Sequence, residues 1–246
     1  MAQLNNVQIF WSADVSKERL LETLNGDFPN ENVGVKLDRL FLTKYGLATI
    51  GEVQALGIPV FADAKITEIP SKCLEIAKIH LEQHPYMLNI MSDSLSTLLN
   101  VAENENDLEA LYRFAKLCKE YGVRSCAVSL FTSKPKEVVE RQYGKPFDEV
   151  VAWFAGLVRD CDLTDLVCSP VEAPIYRKIV GEDVGIVTPG VRLPESDNRD
   201  QKRVTTPADA FANGATTLVI GSDLTKGNDF LGNYAKIMAN INGGIK

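Results

Sequence analysis

The feature that most constrains this sequence is a rhythm. Eight short segments rich in Val, Ile and Leu recur along the 246 residues, at 7–14, 32–38, 58–65, 86–91, 124–130, 165–169, 184–190 and 216–222. Each is bounded by turn residues and reads as a buried strand. Between them run stretches with helical spacing, among them SKERLLETLNG, SKCLEIAKIHLEQ, DLEALYRFAKLCKEYG and FDEVVAWFAGLVRDC. Several open on Ser or Asp, residues that cap helix N-termini. Strand and helix alternating eight times predict an α/β chain folded as a (β/α)8 barrel of the TIM type, a single domain over residues 1–246. An open doubly wound sheet would usually carry a glycine-rich phosphate turn after its first strand, and SADVSKE has none.

Composition narrows the function classes. The net charge of −7 argues against bulk attraction to nucleic acid or an anionic membrane, while leaving room for a local basic site for a small anion. No apolar run approaches the roughly 18 residues of a membrane span. The start, MAQLNNVQIFW, lacks the basic head and apolar core of a secretory signal. The five cysteines, Cys73, Cys118, Cys126, Cys161 and Cys168, are odd in number and contain no C-x-x-C pair. They read as buried, reduced thiols, and the expected compartment is the cytoplasm. His80 and His84 stand four apart on an expected helix, but HLEQH lacks the Glu that follows the first His in zinc hydrolases, so packing or surface roles are expected.

The stretch FADAKITEIP at 61–70 is unusual for a strand exit. It places Asp63, Lys65 and Glu68 at the end of the third strand, and barrel active sites lie at the C-terminal strand ends. Asp63 and Lys65 are two apart and share a strand face. The first strand ends at Asp14, the second carries Lys36 near its end, and the fourth adds Asn89. Converging acids and lysines form an alternating charge network that keeps a lysine protonated and makes it a placed acid. Fixed negative charge beside it would crowd a substrate carboxylate, a strain offset by binding elsewhere on the substrate. A phosphate handle is the natural remote anchor. The segments TPGVR and RDQKR offer Arg192, Gln201 and Arg203, and the turn GSDLTKG offers amides and Lys226. The long polar piece 192–203 suits a substrate-binding loop that moves.

Two motifs carry a resemblance over nearly the whole chain. DAKITEIP at 63–70 and the run TPGVR…DQKRVTTPADAFANGATTLVIG resemble the orotidine 5′-monophosphate decarboxylases, the bacterial group in particular. DLVCSPVEAPIY also resembles their sixth-strand region. The resemblance implies conversion of orotidine 5′-monophosphate to uridine 5′-monophosphate, the last step of de novo pyrimidine synthesis. It implies no cofactor, no metal, and a homodimer with its sites at the subunit interface. It further implies that Asp14 contacts the ribose, that Lys36 and Asp63 hold the network, and that Lys65 protonates C6. Glu68 would reach the partner's site, Thr132 would sit near the pyrimidine, and Arg192 and Gln201 would bind phosphate. Ser71, Gly221 and Ser222 fall at substrate-binding positions. Two residues depart from the pattern: Glu68 stands where the family has Asp, and Ser222 where it has Arg. Two other readings fit parts of the sequence. One is a metal-dependent sugar-phosphate decarboxylase or synthase of the same superfamily, which shares the first motif but not the DQKR run. The other is a non-catalytic nucleotide-binding relative, which Glu68 and Ser222 would suit.

Overall fold

The computed structural model describes residues 7–26, 28–29, 31–92, 105–132, 134–194 and 205–244. All eight expected strands are present: β1 Ile9–Ser12, β2 Val33–Asp38, β3 Val60–Ile66, β4 Met87–Met91, β5 Arg124–Val128, β6 Asp165–Val167, β7 Gly185–Pro189 and β8 Thr217–Ile220. They pair in parallel and in sequence order, and β1 pairs with β8 to close the barrel. Most are shorter than the apolar runs that announce them, because the run continues into the turns that carry the site.

Helices cover the outside. The link from β2 to β3 is two short helices, Arg39–Tyr45 and Ala48–Gln54. The link from β5 to β6 is also double, Lys136–Tyr143 and Phe147–Asp160. Ser16 caps Lys17–Asn25 by accepting from Arg19 N–H at 3.3 Å, and Asp38 caps the next helix through Phe41 N–H at 2.7 Å. Ser71 does no such work: helix Pro70–Leu81 starts one residue earlier on Pro70, whose missing N–H costs nothing at that position. The same helix stops at Leu81, so His84 lies in the following turn with φ +48° and does not share a helix face with His80. His80 Nδ1 is 2.8 Å from the Ile76 carbonyl oxygen. The five cysteines are buried, and none of them forms a disulfide. No helix among the described residues is long and apolar enough to cross a membrane.

Strand alternation divides the core in two. Outward-facing residues such as Trp11, Leu37, Leu88, Ile90, Leu166 and Ile186 pack under the helices in one large cluster. Inward-facing Phe10, Phe61, Met87, Cys126, Val187 and Val219, with Val7, form a second cluster that fills the barrel. Phe10 and Phe61 lie 5.5 Å apart between ring centroids. Gly34 makes that plug possible, since a Cβ there would stand 2.6 Å from Phe10 Cε1 and from the Pro59 carbonyl oxygen. The barrel is therefore a packed solid below its mouth.

Candidate active site

Two residues beyond the plug, along the same inward faces, the chemistry changes. On β1 to β4 the step leads from Phe10 to Ser12, from Gly34 to Lys36, from Phe61 to Asp63 and from Met87 to Asn89. On β5 to β8 the wall stays apolar, with Val128, Val167 and Pro189 at the mouth and Val219 shared between plug and mouth. Half of the mouth is polar and half apolar. Ser12, Lys36, Asp63, Val128, Val167, Pro189 and Val219 all line one cavity of about 350 Å³ at the C-terminal strand ends.

The polar half is built around Asp63. Its Oδ2 accepts from Lys36 Nζ at 2.8 Å, and its Oδ1 accepts from Lys65 Nζ at 2.6 Å and from Asn89 Nδ2 at 2.6 Å. The Asp63 and Lys36 side chains are 7% and 11% exposed, whereas Lys65 is 34% exposed and meets the cavity. Burial pushes the Asp63 carboxyl up, but the Lys36 and Lys65 ammoniums outweigh burial and hold it below the usual carboxylate range. Lys65 has φ +45°, a left-handed conformation that a side chain of this size rarely adopts. The pairing register of β3 with β4 shifts between Ala62 and Ile66, and the Lys65 N–H is pinned by Asn89 Oδ1 at 2.7 Å. Asn89 thus fixes both the carboxylate and the strained backbone of the neighbouring lysine, from a fully buried position.

The other sequence candidates separate clearly. Asp14, Thr132, Arg192, Gly221 and Ser222 line the same cavity as the lysine array. Asp14 Oδ2 accepts from the Ser12 hydroxyl at 3.3 Å. Glu68 does not line the mouth; it is exposed, accepts from Ile69 N–H at 2.9 Å, and borders a second depression with Arg39, Thr43 and His80. Ser71 is exposed in a groove between helices Pro70–Leu81 and Glu105–Glu120. Lys226 is also exposed and is not among the residues of the mouth. Gln201 and Arg203, with most of the 192–203 segment, lie outside the described residues. The structure adds Ser12, Leu130, Phe131, Pro189 and Gly190 to the cavity wall. Counting back two from Asp14 along the strand would have found Ser12. Among the described residues no group of three or more His, Cys, Asp or Glu is gathered to hold a metal ion.

A closed (β/α)8 barrel with a charged, half-apolar pocket at the C-terminal strand ends has the architecture of a barrel enzyme that acts on a small polar molecule. The sequence comparisons are more specific. The chain belongs to the Orotidine 5'-phosphate decarboxylase / HUMPS family, whose model matches residues 7–237. An orotidine 5'-phosphate decarboxylase of Moorella thermoacetica is 33% identical over 243 residues, covering 92% of this chain and 93% of its own. One from Rhodospirillum rubrum is 32% identical over 235 residues, covering 93% of this chain and 92% of its own. The solved structure of orotidine 5'-phosphate decarboxylase from Lactobacillus acidophilus matches with a TM-score of 0.76 over 96% of this chain and 99% of that one. At 22% identity that likeness is one of fold.

Proposed function

We propose that this chain decarboxylates orotidine 5′-monophosphate to uridine 5′-monophosphate in the cytoplasm, as the last step of pyrimidine synthesis, without metal or cofactor. The observation that carries the reading is the buried Asp63 carboxylate held between two lysines at the mouth of a barrel of this family. The nucleobase lies against the apolar half of the mouth, near Thr132, with its C6 carboxylate toward Asp63. Like charges crowd there, and the C6–carboxylate bond breaks with its electron pair left on C6 as carbon dioxide departs. The Lys65 ammonium gives its proton to C6, and Lys65 is reprotonated from solvent. Asp63 aims Lys65, and Lys36 in turn holds the Asp63 carboxylate in place. Asp14 takes the ribose hydroxyls. Arg192 and Gln201 hold the phosphate, whose binding offsets the crowding at the reacting carbon.

The same reading makes the chain a homodimer. Leu40 and Ile69 are 74% and 61% exposed, and both adjoin residues of the second depression, where Glu68 stands outside the mouth of its own barrel. In the dimer Glu68 completes the partner's network. It is one methylene longer than the Asp that the resemblance implies at that position. Light scattering on purified protein tests the dimer; a monomer at micromolar concentration contradicts it.

The activity is tested by the loss of orotidine 5′-monophosphate absorbance with purified protein and EDTA. A steady loss under EDTA supports the reading. No loss, or loss that EDTA abolishes, rejects it in favour of a binding protein or a metal-dependent relative.

A further inference from the structure

Besides the lysine pair the mouth has a third cation, Arg192, and its support is unusual. β3 and β7 are four strands apart in the closed ring of eight, so Lys65 and Arg192 enter the cavity from opposite walls. Lys36 and Lys65 are both committed to Asp63. Arg192 lies 3.8 Å, Nη1 to Oδ1, from Asp223. That distance is an ion pair and too long for a hydrogen bond, so it consumes none of the guanidinium N–H donors. The other oxygen, Asp223 Oδ2, accepts from Leu193 N–H at 3.0 Å. Asp223 itself is 7% exposed and directly follows Gly221 and Ser222, which line the cavity. One buried carboxylate after β8 therefore holds both the backbone after β7 and the head of Arg192.

We infer that Asp223 is a positioning residue that presents Arg192 to the phosphate end of the substrate. The inference rests on the proposed decarboxylase reading, and it answers what Ser222 leaves open there. A free arginine side chain has many rotamers, and a ligand must overcome the entropy of ordering it on binding. An arginine already held by a buried charge spares the ligand that cost. A serine at 222 supplies a hydroxyl and no charge, so among the described cavity residues Arg192 is the cation on that wall. A tethered single arginine then does the work of holding the anion.

The opposing expectation is concrete, because a buried carboxylate behind an anion site also repels the anion. Calorimetric binding of uridine 5′-monophosphate and of uridine, with steady-state kinetics, separates the two for wild type, Asp223→Asn, Asp223→Ala, Arg192→Ala and the Asp223→Asn/Arg192→Ala pair. Asp223→Asn keeps the size and an acceptor for Leu193 N–H. It should weaken uridine 5′-monophosphate about fivefold to tenfold, leave uridine within about twofold, and raise KM with kcat nearly unchanged; in the Arg192→Ala background the effect should vanish. Asp223→Ala, which also strips the Leu193 N–H of this partner, should lower the melting temperature as well. Unchanged or tighter nucleotide binding by Asp223→Asn overturns the inference, as does an equal loss for the nucleoside or a full effect without Arg192. A wild type that binds no nucleotide and turns over no substrate fails the functional reading first; an active wild type with an indifferent Asp223→Asn fails this inference alone.

Discussion

Two of the buried aspartates, both on barrel strands, answer to opposite purposes. Asp165 opens β6 at the closed end of the barrel and meets Arg124 in a two-pronged pair, Nε to Oδ2 and Nη2 to Oδ1, both at 2.8 Å. The Thr164 hydroxyl adds a third bond at 2.8 Å. Gly185 leaves room for the carboxylate, since a Cβ there would collide with Asp165 Oδ1. One charge meets one charge, in the fork geometry that arginine favours. Asp63 lies on β3 facing the open end and serves two lysines with one carboxylate. One of those lysines is partly exposed, sits on strained backbone, and faces the cavity. A saturated pair locks a fold; an over-subscribed one leaves a positive charge aimed at whatever enters. A buried aspartate becomes structure or chemistry according to the stoichiometry and exposure of its partners.

Substitutions at the two sites should therefore fail differently. Asp63→Asn should lower turnover of orotidine 5′-monophosphate by about a thousandfold, because Lys65 loses the charge that holds it, and steady-state kinetics will show it. Asp165→Asn should leave turnover per folded molecule within about twofold and cost about 2–3 kcal/mol of stability in denaturant unfolding. That is less than the roughly 3–5 kcal/mol of a fully buried pair, because Arg124 is 37% exposed. If Asp165→Asn abolishes turnover while the fold persists, the division of labour is wrong.

Acid sharpens the contrast at Asp63. Its folded value is depressed, so its contribution is complete above the ordinary carboxylate range and is lost only as pH falls through the lower folded value. The stability gap between wild type and Asp63→Asn should stay constant from about pH 8 to about pH 5 and narrow below about pH 4. A gap that narrows near neutrality contradicts the assigned environment. The smallest effect belongs to the surface. The Lys17–Glu52 pair, 2.7 Å apart with side chains 24% and 44% exposed, should contribute under about 1 kcal/mol, so Glu52→Ala should barely move a thermal melt.

How much of this was legible follows the same divide. The strands were plain because parallel barrel strands are buried on both faces and read as short apolar runs. The array at Lys36, Asp63 and Lys65 was legible because three charges at matching strand ends have few structural uses. The left-handed backbone of Lys65 was not, since it depends on Asn89 from the next strand reaching across to its N–H. Glu68 and Ser71 follow Lys65 closely in sequence, yet the chain leaves the mouth after Ile66, so neither lines the cavity of its own barrel. Asp223 gave no signal beyond an acid after Ser222, because its meaning comes from Arg192, 31 positions earlier on another loop.

The most direct measurement of the central claim compares wild type and Lys65→Ala in two assays, turnover of orotidine 5′-monophosphate and binding of uridine 5′-monophosphate. The account predicts that turnover falls by about a thousandfold or more while nucleotide binding stays within about tenfold and the circular dichroism spectrum is unchanged. Lys65→Ala that decarboxylates like wild type would contradict the assignment of the proton donor and with it the reading of the mouth.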